Sequence, residues 1–170
     1  MEKPMAIVFK SNTGYTKKYA ELLAEQTGLP VYSLEQSDTL SEQTPIIYLG
    51  WLMAGVVQGY KKAVKRFRVC AVCGVGMGAT GSQIEDVRKN NNIEAEVPVY
   101  TLQGGFDLNR LHGVYKFMMQ VMKKTAGRAL AEKQDRTPEE DVMLKLLMEG
   151  GDCVSSDNLA EVVTWYEQQA

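Results

Sequence analysis

The sequence is poor in the residues that form metal centres and disulfide scaffolds. Its 170 residues include 3 cysteines and 1 histidine. Cys70, Cys73, Cys153 and His112 show none of the spacings typical of metal ligands. Three cysteines are also too few to cross-link a small secreted domain. We therefore expect neither a metal site nor a disulfide framework, and we name no catalytic acid, base or nucleophile.

Long apolar runs and an excess of one charge are also missing. The longest mostly apolar stretch, residues 45–57, is shorter than the roughly 20 residues that span a bilayer. Residues 1–10 lack the apolar core of a signal peptide. A balance of 19 basic and 21 acidic side chains argues against broad electrostatic binding to nucleic acid or an anionic membrane. The sequence thus predicts a cytoplasmic protein with no integral membrane segment and no nucleic-acid partner.

Apolar residues, by contrast, make up 45% of the chain, which is enough to bury the core of a single domain over residues 1–170. Short apolar runs alternate with helical patterns along its length, which predicts an α/β fold with a parallel sheet and helices on both faces. Five strands are predicted, at residues 5–9, 29–34, 45–49, 68–73 and 97–102. We expect the core to cover residues 5–125 and a helical C-terminal extension to cover residues 126–170.

Several helices carry recognisable start signals or apolar faces. Residues 82–85 (Ser-Gln-Ile-Glu) and residues 137–140 (Thr-Pro-Glu-Glu) both predict a capping box at a helix start. Apolar side chains at helical spacing predict a short helix with Val57, Tyr60, Val64 and Phe67 on one face. A long helix should present Leu108, Leu111, Tyr115, Met118, Met119 and Met122, with its methionines filling the core.

Function should lie in the loops that follow the strands, because ligands of parallel sheets bind beyond their carboxyl ends. The first such loop consists of Ser11, Asn12, Thr13, Gly14, Tyr15 and Thr16. The free amides of the following helix start suit a phosphate, three hydroxyls can donate to it, and Gly14 lets the backbone come close. The loop has no lysine or arginine, so neutral donors would hold the phosphate. A plain capped helix is the alternative interpretation.

Three segments carry a family resemblance. Residues 10–20 (Lys-Ser-Asn-Thr-Gly-Tyr-Thr-Lys-Lys-Tyr-Ala) resemble the phosphate-binding loop of flavodoxins, which typically reads hydroxyl-x-Thr-Gly-x-Thr. Residues 48–55 (Tyr-Leu-Gly-Trp-Leu-Met-Ala-Gly) and 100–107 (Tyr-Thr-Leu-Gln-Gly-Gly-Phe-Asp) are similar to the later loops of short-chain bacterial flavodoxin-domain proteins. That group includes the flavodoxin-type, menaquinone-dependent protoporphyrinogen dehydrogenases.

The resemblance implies a flavodoxin-like sheet in strand order 2-1-3-4-5 and FMN as the cofactor. The FMN phosphate would lie on the first loop, and the isoalloxazine ring would lie between the second and third loops. Trp51 is the aromatic residue best placed to contact the ring, and Phe106 is a weaker candidate. The candidate residues of the later loops are Trp51, Leu52, Met53, Ala54, Gly55, Gly74, Val75, Gly76, Gln103, Gly104, Gly105 and Phe106.

One loop departs from the flavodoxin pattern. Residues 74–81 (Gly-Val-Gly-Met-Gly-Ala-Thr-Gly) lack the acid and the aromatic of the Gly-x-Gly-Asp-x-x-Tyr segment found in electron-transfer flavodoxins. This departure favours a small oxidoreductase, with quinone- or porphyrinogen-type chemistry possible, over an electron carrier with a protein partner. A flavodoxin-fold binding module that has lost FMN is a third possibility, against which the intact first loop counts.

Two further motifs invite other interpretations. Gly76, Gly78 and Gly81, with Glu96 about 20 residues on, form a dinucleotide fingerprint and leave open a Rossmann-type protein that binds NAD(P). That fingerprint normally opens a βαβαβ unit, whereas only one predicted strand follows it here. Cys70 and Cys73 lie three residues apart on one strand and should face opposite sides of the sheet, so we expect no functional disulfide between them.

Overall fold

The computed structural model describes residues 2–169 as eight strands and six α-helices. The strands are β1 (Ala6–Lys10), β2 (Val31–Ser33), β3 (Pro45–Met53), β4 (Val56–Val57), β5 (Arg68–Gly76), β6 (Val99–Gln103), β7 (Gly105–Phe106) and β8 (Gly151–Asp152). The helices are α1 (Tyr15–Thr27), α2 (Tyr60–Arg66), α3 (Ile84–Asn91), α4 (Gly113–Glu132), α5 (Pro138–Glu149) and α6 (Ala160–Glu167).

The main sheet confirms the predicted fold class. Its parallel strands lie in the order β2-β1-β3-β5-β6, which is the flavodoxin-like order. One short strand departs from the prediction: β4 pairs antiparallel with the end of β3. The sheet therefore carries a small hairpin at the carboxyl end of its central strand.

Alternating side chains of the strands form a separate core on each face of the sheet. In β1, Ile7 joins the core under α1 and α6, whereas Ala6 and Val8 join the core under α2 and α3. Helix α6 contributes Val162 to the first of these cores, and Leu159 lies just before it. Full burial of such a side chain stabilises the fold by about 1.5–3 kcal/mol. Helix α6 thus belongs to the α/β core.

Helices α4 and α5 form a hairpin inserted between β6 and α6. The hairpin packs on a small cluster of Phe106, Leu111 and Leu146, and β7 pairs with β8 beside it. The predicted boundary at residue 125 falls inside α4, and α6 packs on the sheet. No helix within residues 2–169 is long and apolar enough to cross a membrane.

Two strands run further than the sequence pattern predicted. The predicted ends at residues 49 and 73 precede Gly50 and Gly74, since glycine usually interrupts strands. In the structure these two glycines align across β3 and β5, and both strands continue beyond them. A Cβ on Gly50 would clash with Val57, and a Cβ on Gly74 would meet Leu52. The glycines leave room for side chains of the β3–β4 hairpin. Val57 lies in β4 and not in the predicted helix.

Candidate functional site

A cavity of about 710 Å³ lies beyond the carboxyl ends of β1, β3, β5 and β6, underneath α4. Its size and its position at the edge of a parallel sheet are typical of small-molecule sites. Most of the candidate residues named from the sequence line it: Asn12, Thr13, Tyr15, Thr16, Trp51, Leu52, Met53, Ala54, Gly55, Val75, Gly76, Gly104, Gly105 and Phe106. Ser11, Gly14, Gly74 and Gln103 do not.

The first loop leaves the start of α1 without a side-chain cap. Gly14 takes the N-cap position with a positive φ of 98°, which a residue with a side chain rarely adopts. Ser11 Oγ accepts a hydrogen bond from the Gly14 amide at 3.1 Å, so it caps the loop rather than the helix. No side chain therefore caps α1, and the amides of its first turn remain available to an anion.

Two hydroxyls of this loop border the cavity. Thr16 is only 1% exposed and lines the cavity. Its hydroxyl has no hydrogen bond within residues 2–169, and because no buried side-chain N or O atom there lacks a partner, this hydroxyl opens to the cavity. The hydroxyl of Thr13 also has no partner among residues 2–169, and Thr13 lines the same space. Both hydroxyls are suited to donate to a phosphate.

Trp51, assigned from the sequence to the second loop, lies within β3 near its carboxyl end and lines the cavity. Trp51 is half-buried and aligns with Val75 of β5. Tyr115 of α4 meets the indole edge-on, with ring centroids 5.3 Å apart and planes at 90°. The pattern had placed Tyr115 on a helix face without assigning it to the site. The pair joins the hairpin of α4 and α5 to the sheet edge.

The rest of the second loop is a tight hairpin between β3 and β4. Its turn residues, Ala54 and Gly55, have positive φ values of 48° and 75°, as a two-residue type I′ turn requires. Asn91 of α3 holds this turn, because its Nδ2 donates to Gly55 O and its Oδ1 accepts from Val57 N, both at 2.9 Å. No sequence pattern pointed to Asn91 beyond its place at a helix end.

In the third loop, close packing explains the two glycines of the Gln-Gly-Gly-Phe segment. A Cβ on Gly105 would clash with the Tyr15 ring, and a Cβ on Gly104 would lie 2.8 Å from Val75. The Gly104 carbonyl accepts a hydrogen bond from Cys153 N at 2.9 Å. These glycines therefore let the third loop pack directly against the first loop. The side chain of Gln103 instead donates to Met77 O at 3.1 Å, outside the cavity lining.

The glycines after β5 have packing and turn roles. A Cβ on Gly76 would lie 3.2 Å from Leu52, and Gly81 has a positive φ of 81° in the turn before α3. Helix α3 begins only at Ile84, with Gln83 before it at a φ of 60°. Gly76 and Gly81 thus have packing and turn roles of their own, and Gly78 lines the cavity.

The outer wall of the cavity is apolar and rich in methionine. Met118 is 46% exposed, so the expectation that it fills the core is wrong, whereas Met119 packs against the cluster of Phe106, Leu111 and Leu146. The physical reason is that α4 leaves the sheet and covers the cavity, and within α4 only Gly127 is buried. Flexible, polarisable side chains suit a surface that adapts to an apolar ligand. The methionines of this wall are Met77, Met118, Met119, Met122 and Met143.

The cysteines take no part in this arrangement as a dithiol. Cys70 and Cys73 are both buried free thiols. Burial raises the pKa of Cys73 to about 12, which keeps the thiol protonated and unreactive near neutral pH. Among residues 2–169 no three His, Cys, Asp or Glu side chains converge as metal ligands.

Comparisons of the chain with protein-family models, curated proteins and solved structures found no match, so the case for a function rests on the chemistry of this cavity.

Proposed function

We propose that the chain binds FMN in the cavity at the carboxyl edge of the sheet and works as a small oxidoreductase. One observation carries the proposal: the uncapped start of α1, with the free hydroxyls of Thr13 and Thr16, opens into the same cavity as Trp51 and the Gly104–Gly105 backbone. An anion site and an apolar slot with an aromatic wall are the two features that a flavin nucleotide requires.

The residues of the cavity fit the group. The Thr16 hydroxyl opens to the cavity, where it can donate to a phosphate oxygen. The ring would lie between the Trp51–Gly55 segment and the third loop, in contact with backbone around Gly104. When bound, FMN supplies the redox chemistry, while the protein binds it, orients it and sets its electronic surroundings.

The cover over the cavity favours a small organic substrate over a protein redox partner. Tyr115 packs on Trp51, so α4 lies over the part of the cavity where a carrier would meet its partner. The methionine wall adds apolar surface beyond the space next to the first loop. An apolar substrate of the quinone or porphyrinogen type would match this surface. The FMN-free binding module is the outcome that the flavin titrations below distinguish from this proposal.

The test compares FMN with riboflavin, which lacks the phosphate. In a Thr13→Val/Thr16→Val variant, two donors to a charged group are lost while the side-chain shape is retained. Each such hydrogen bond contributes about 1.5–3 kcal/mol, so FMN affinity should fall roughly 10²-fold or more. Riboflavin affinity should hardly change. Both dissociation constants can be measured by quenching of flavin fluorescence.

The matched control is Thr27→Val, at the other end of α1. Thr27 Oγ1 donates to Leu23 O at 2.7 Å and does not line the cavity. This variant should bind both flavins as the unmodified chain does. If the unmodified chain binds neither flavin, the FMN proposal fails. If the double variant loses both flavins equally, the first loop is not the phosphate site.

A further inference from the structure

The first loop has no cation of its own, but one reaches it from a distant segment. Arg110 ends the short turn after β7, and its Nη1 donates to the Thr13 carbonyl at 3.1 Å across 97 residues of chain. Its guanidinium also lies over the ring of Tyr15, 5.8 Å from the ring centroid. Arg110 therefore packs on two residues of the loop that borders the cavity.

The guanidinium keeps free donors in this position. Its Nε faces Asp107 Oδ2 at 3.3 Å, and Nη1 is used by Thr13, whereas Nη2 has no hydrogen-bond partner within residues 2–169. The side chain is about half exposed, at 51%. A planar guanidinium with unoccupied N–H donors can bind two phosphate oxygens at once.

Neighbouring cations are engaged elsewhere. Lys17 pairs with Glu21 along α1, and Lys18 pairs with Asp152 of β8. Lys18 Nζ also lies 5.6 Å from the centroid of the Tyr15 ring, but among these three cations Arg110 is the one that hydrogen-bonds to the backbone of the first loop. Thr16 is 99% buried as a residue and its hydroxyl opens to the cavity, so a ligand at this loop would meet that hydroxyl from the cavity side.

We propose that Arg110 is the charged residue of the phosphate subsite and selects phosphorylated over dephosphorylated ligands. The inference rests on the proposed flavin site and adds a residue to it. The hydroxyls and amides of α1 supply neutral donors, and Arg110 supplies the positive charge that a phosphate dianion requires. Its bond to Thr13 and its place over Tyr15 hold the guanidinium at the loop before the ligand arrives.

The experiment measures FMN and riboflavin affinities of Arg110→Gln and Arg110→Lys at low and high salt. Arg110→Gln keeps a donor for Thr13 but loses the charge, so FMN affinity should fall roughly 10- to 100-fold. Its FMN affinity should also depend less on salt, while riboflavin affinity stays the same. The FMN affinity of Arg110→Lys should lie between those of the unmodified chain and Arg110→Gln, because lysine keeps the charge but lacks the planar set of guanidinium donors. Arg128→Gln, which removes an exposed arginine paired with Glu132 on α4, is the matched control.

Two results would overturn the inference: unchanged FMN affinity in Arg110→Gln, or an equal loss of FMN and riboflavin, which would make Arg110 a structural support of the loop. If the unmodified chain binds neither flavin, the FMN proposal fails. Binding of inorganic phosphate then tests the role of Arg110. Phosphorus NMR titration should then show phosphate binding to the unmodified chain and its loss in Arg110→Gln. Equal binding to both, or none to either, would refute the role of Arg110.

Discussion

Trp51 connects two parts of the molecule that are far apart in the chain. It lies near the end of the central strand β3, where Val75 pairs with it, and Tyr115 of α4 packs edge-on against its ring. Its position at the cavity gives the indole two possible roles: a wall for a flavin ring, or a packing partner for α4. A substitution separates them, because only the first role depends on the flavin.

We expect Trp51→Ala to weaken FMN binding by about 0.5–1.5 kcal/mol for the aromatic pair, plus the lost apolar burial. Fluorescence of the bound flavin should rise, because an electron-rich indole against the ring quenches it. Equilibrium titration followed by flavin emission measures both effects. The control is Trp165→Ala in α6: this tryptophan packs on the core under α1 and α6, so its loss should lower stability only. Unchanged affinity and emission in Trp51→Ala would assign Trp51 to packing alone.

The β3–β4 hairpin depends on a helix that follows it by more than twenty residues. Asn91 is 4% exposed and bonds to Gly55 O, Val57 N and Val87 O. Its amide thus supplies partners that the two-residue turn cannot provide for itself. Because the hairpin forms one wall of the cavity, α3 positions part of the site through this one side chain.

Asn91→Ala should lower the free energy of unfolding by about 2–4 kcal/mol, since it leaves buried backbone groups of the hairpin without partners. Urea denaturation measures the change. Asn90→Ala is the matched control, because Asn90 is the exposed neighbour on the same helix; we expect it to stay within about 0.5 kcal/mol of the unmodified chain. Equal losses in the two variants would contradict the assignment.

On the scale of the whole molecule, the segment after β6 performs two separate tasks. The α4–α5 hairpin covers the cavity and buries little of itself, with Gly127, Leu146 and Leu147 as its buried residues. The segment after it pairs β8 with β7 and adds Leu159 and Val162 to the core. The hairpin is therefore an insertion that serves the site, whereas the tail completes the fold.

Replacing residues 113–149 with a short Gly/Ser linker should leave a cooperatively folded α/β core, because both main cores lack hairpin residues. Ending the chain at residue 149 should instead abolish cooperative unfolding. It removes two fully buried side chains worth about 1.5–3 kcal/mol each from a total of about 5–15 kcal/mol, and it exposes the apolar side of α1. Circular dichroism melts of the two variants test this. The opposite pattern would show that the hairpin, not the tail, completes the core.

The two capping-box patterns predicted a helix start correctly only where no contact with a distant segment interfered. Thr137 and Glu140 form the capping box that the pattern indicated, on a helix start at the surface. The same pattern at Ser82 is wrong: Ser82 Oγ donates to Ala79 O, and Ser82 O accepts from Thr101 Oγ1 of β6. The strand holds the segment in a turn, so α3 starts later without a side-chain cap.

The sequence by itself determined the parallel sheet, its two buried faces and the hydroxyl loop after β1. Hydrophobic periodicity and loop chemistry are local properties, and they can be seen over a few neighbouring residues. The tertiary structure decided that Arg110 reaches the first loop, that Tyr115 packs on Trp51, and that the methionines of α4 face a cavity. These contacts join segments separated by tens of residues, and the path of the chain after β6 decides which side chains meet. No local pattern encodes that path, because α4 has the apolar stripe of a core helix and yet lies over the site.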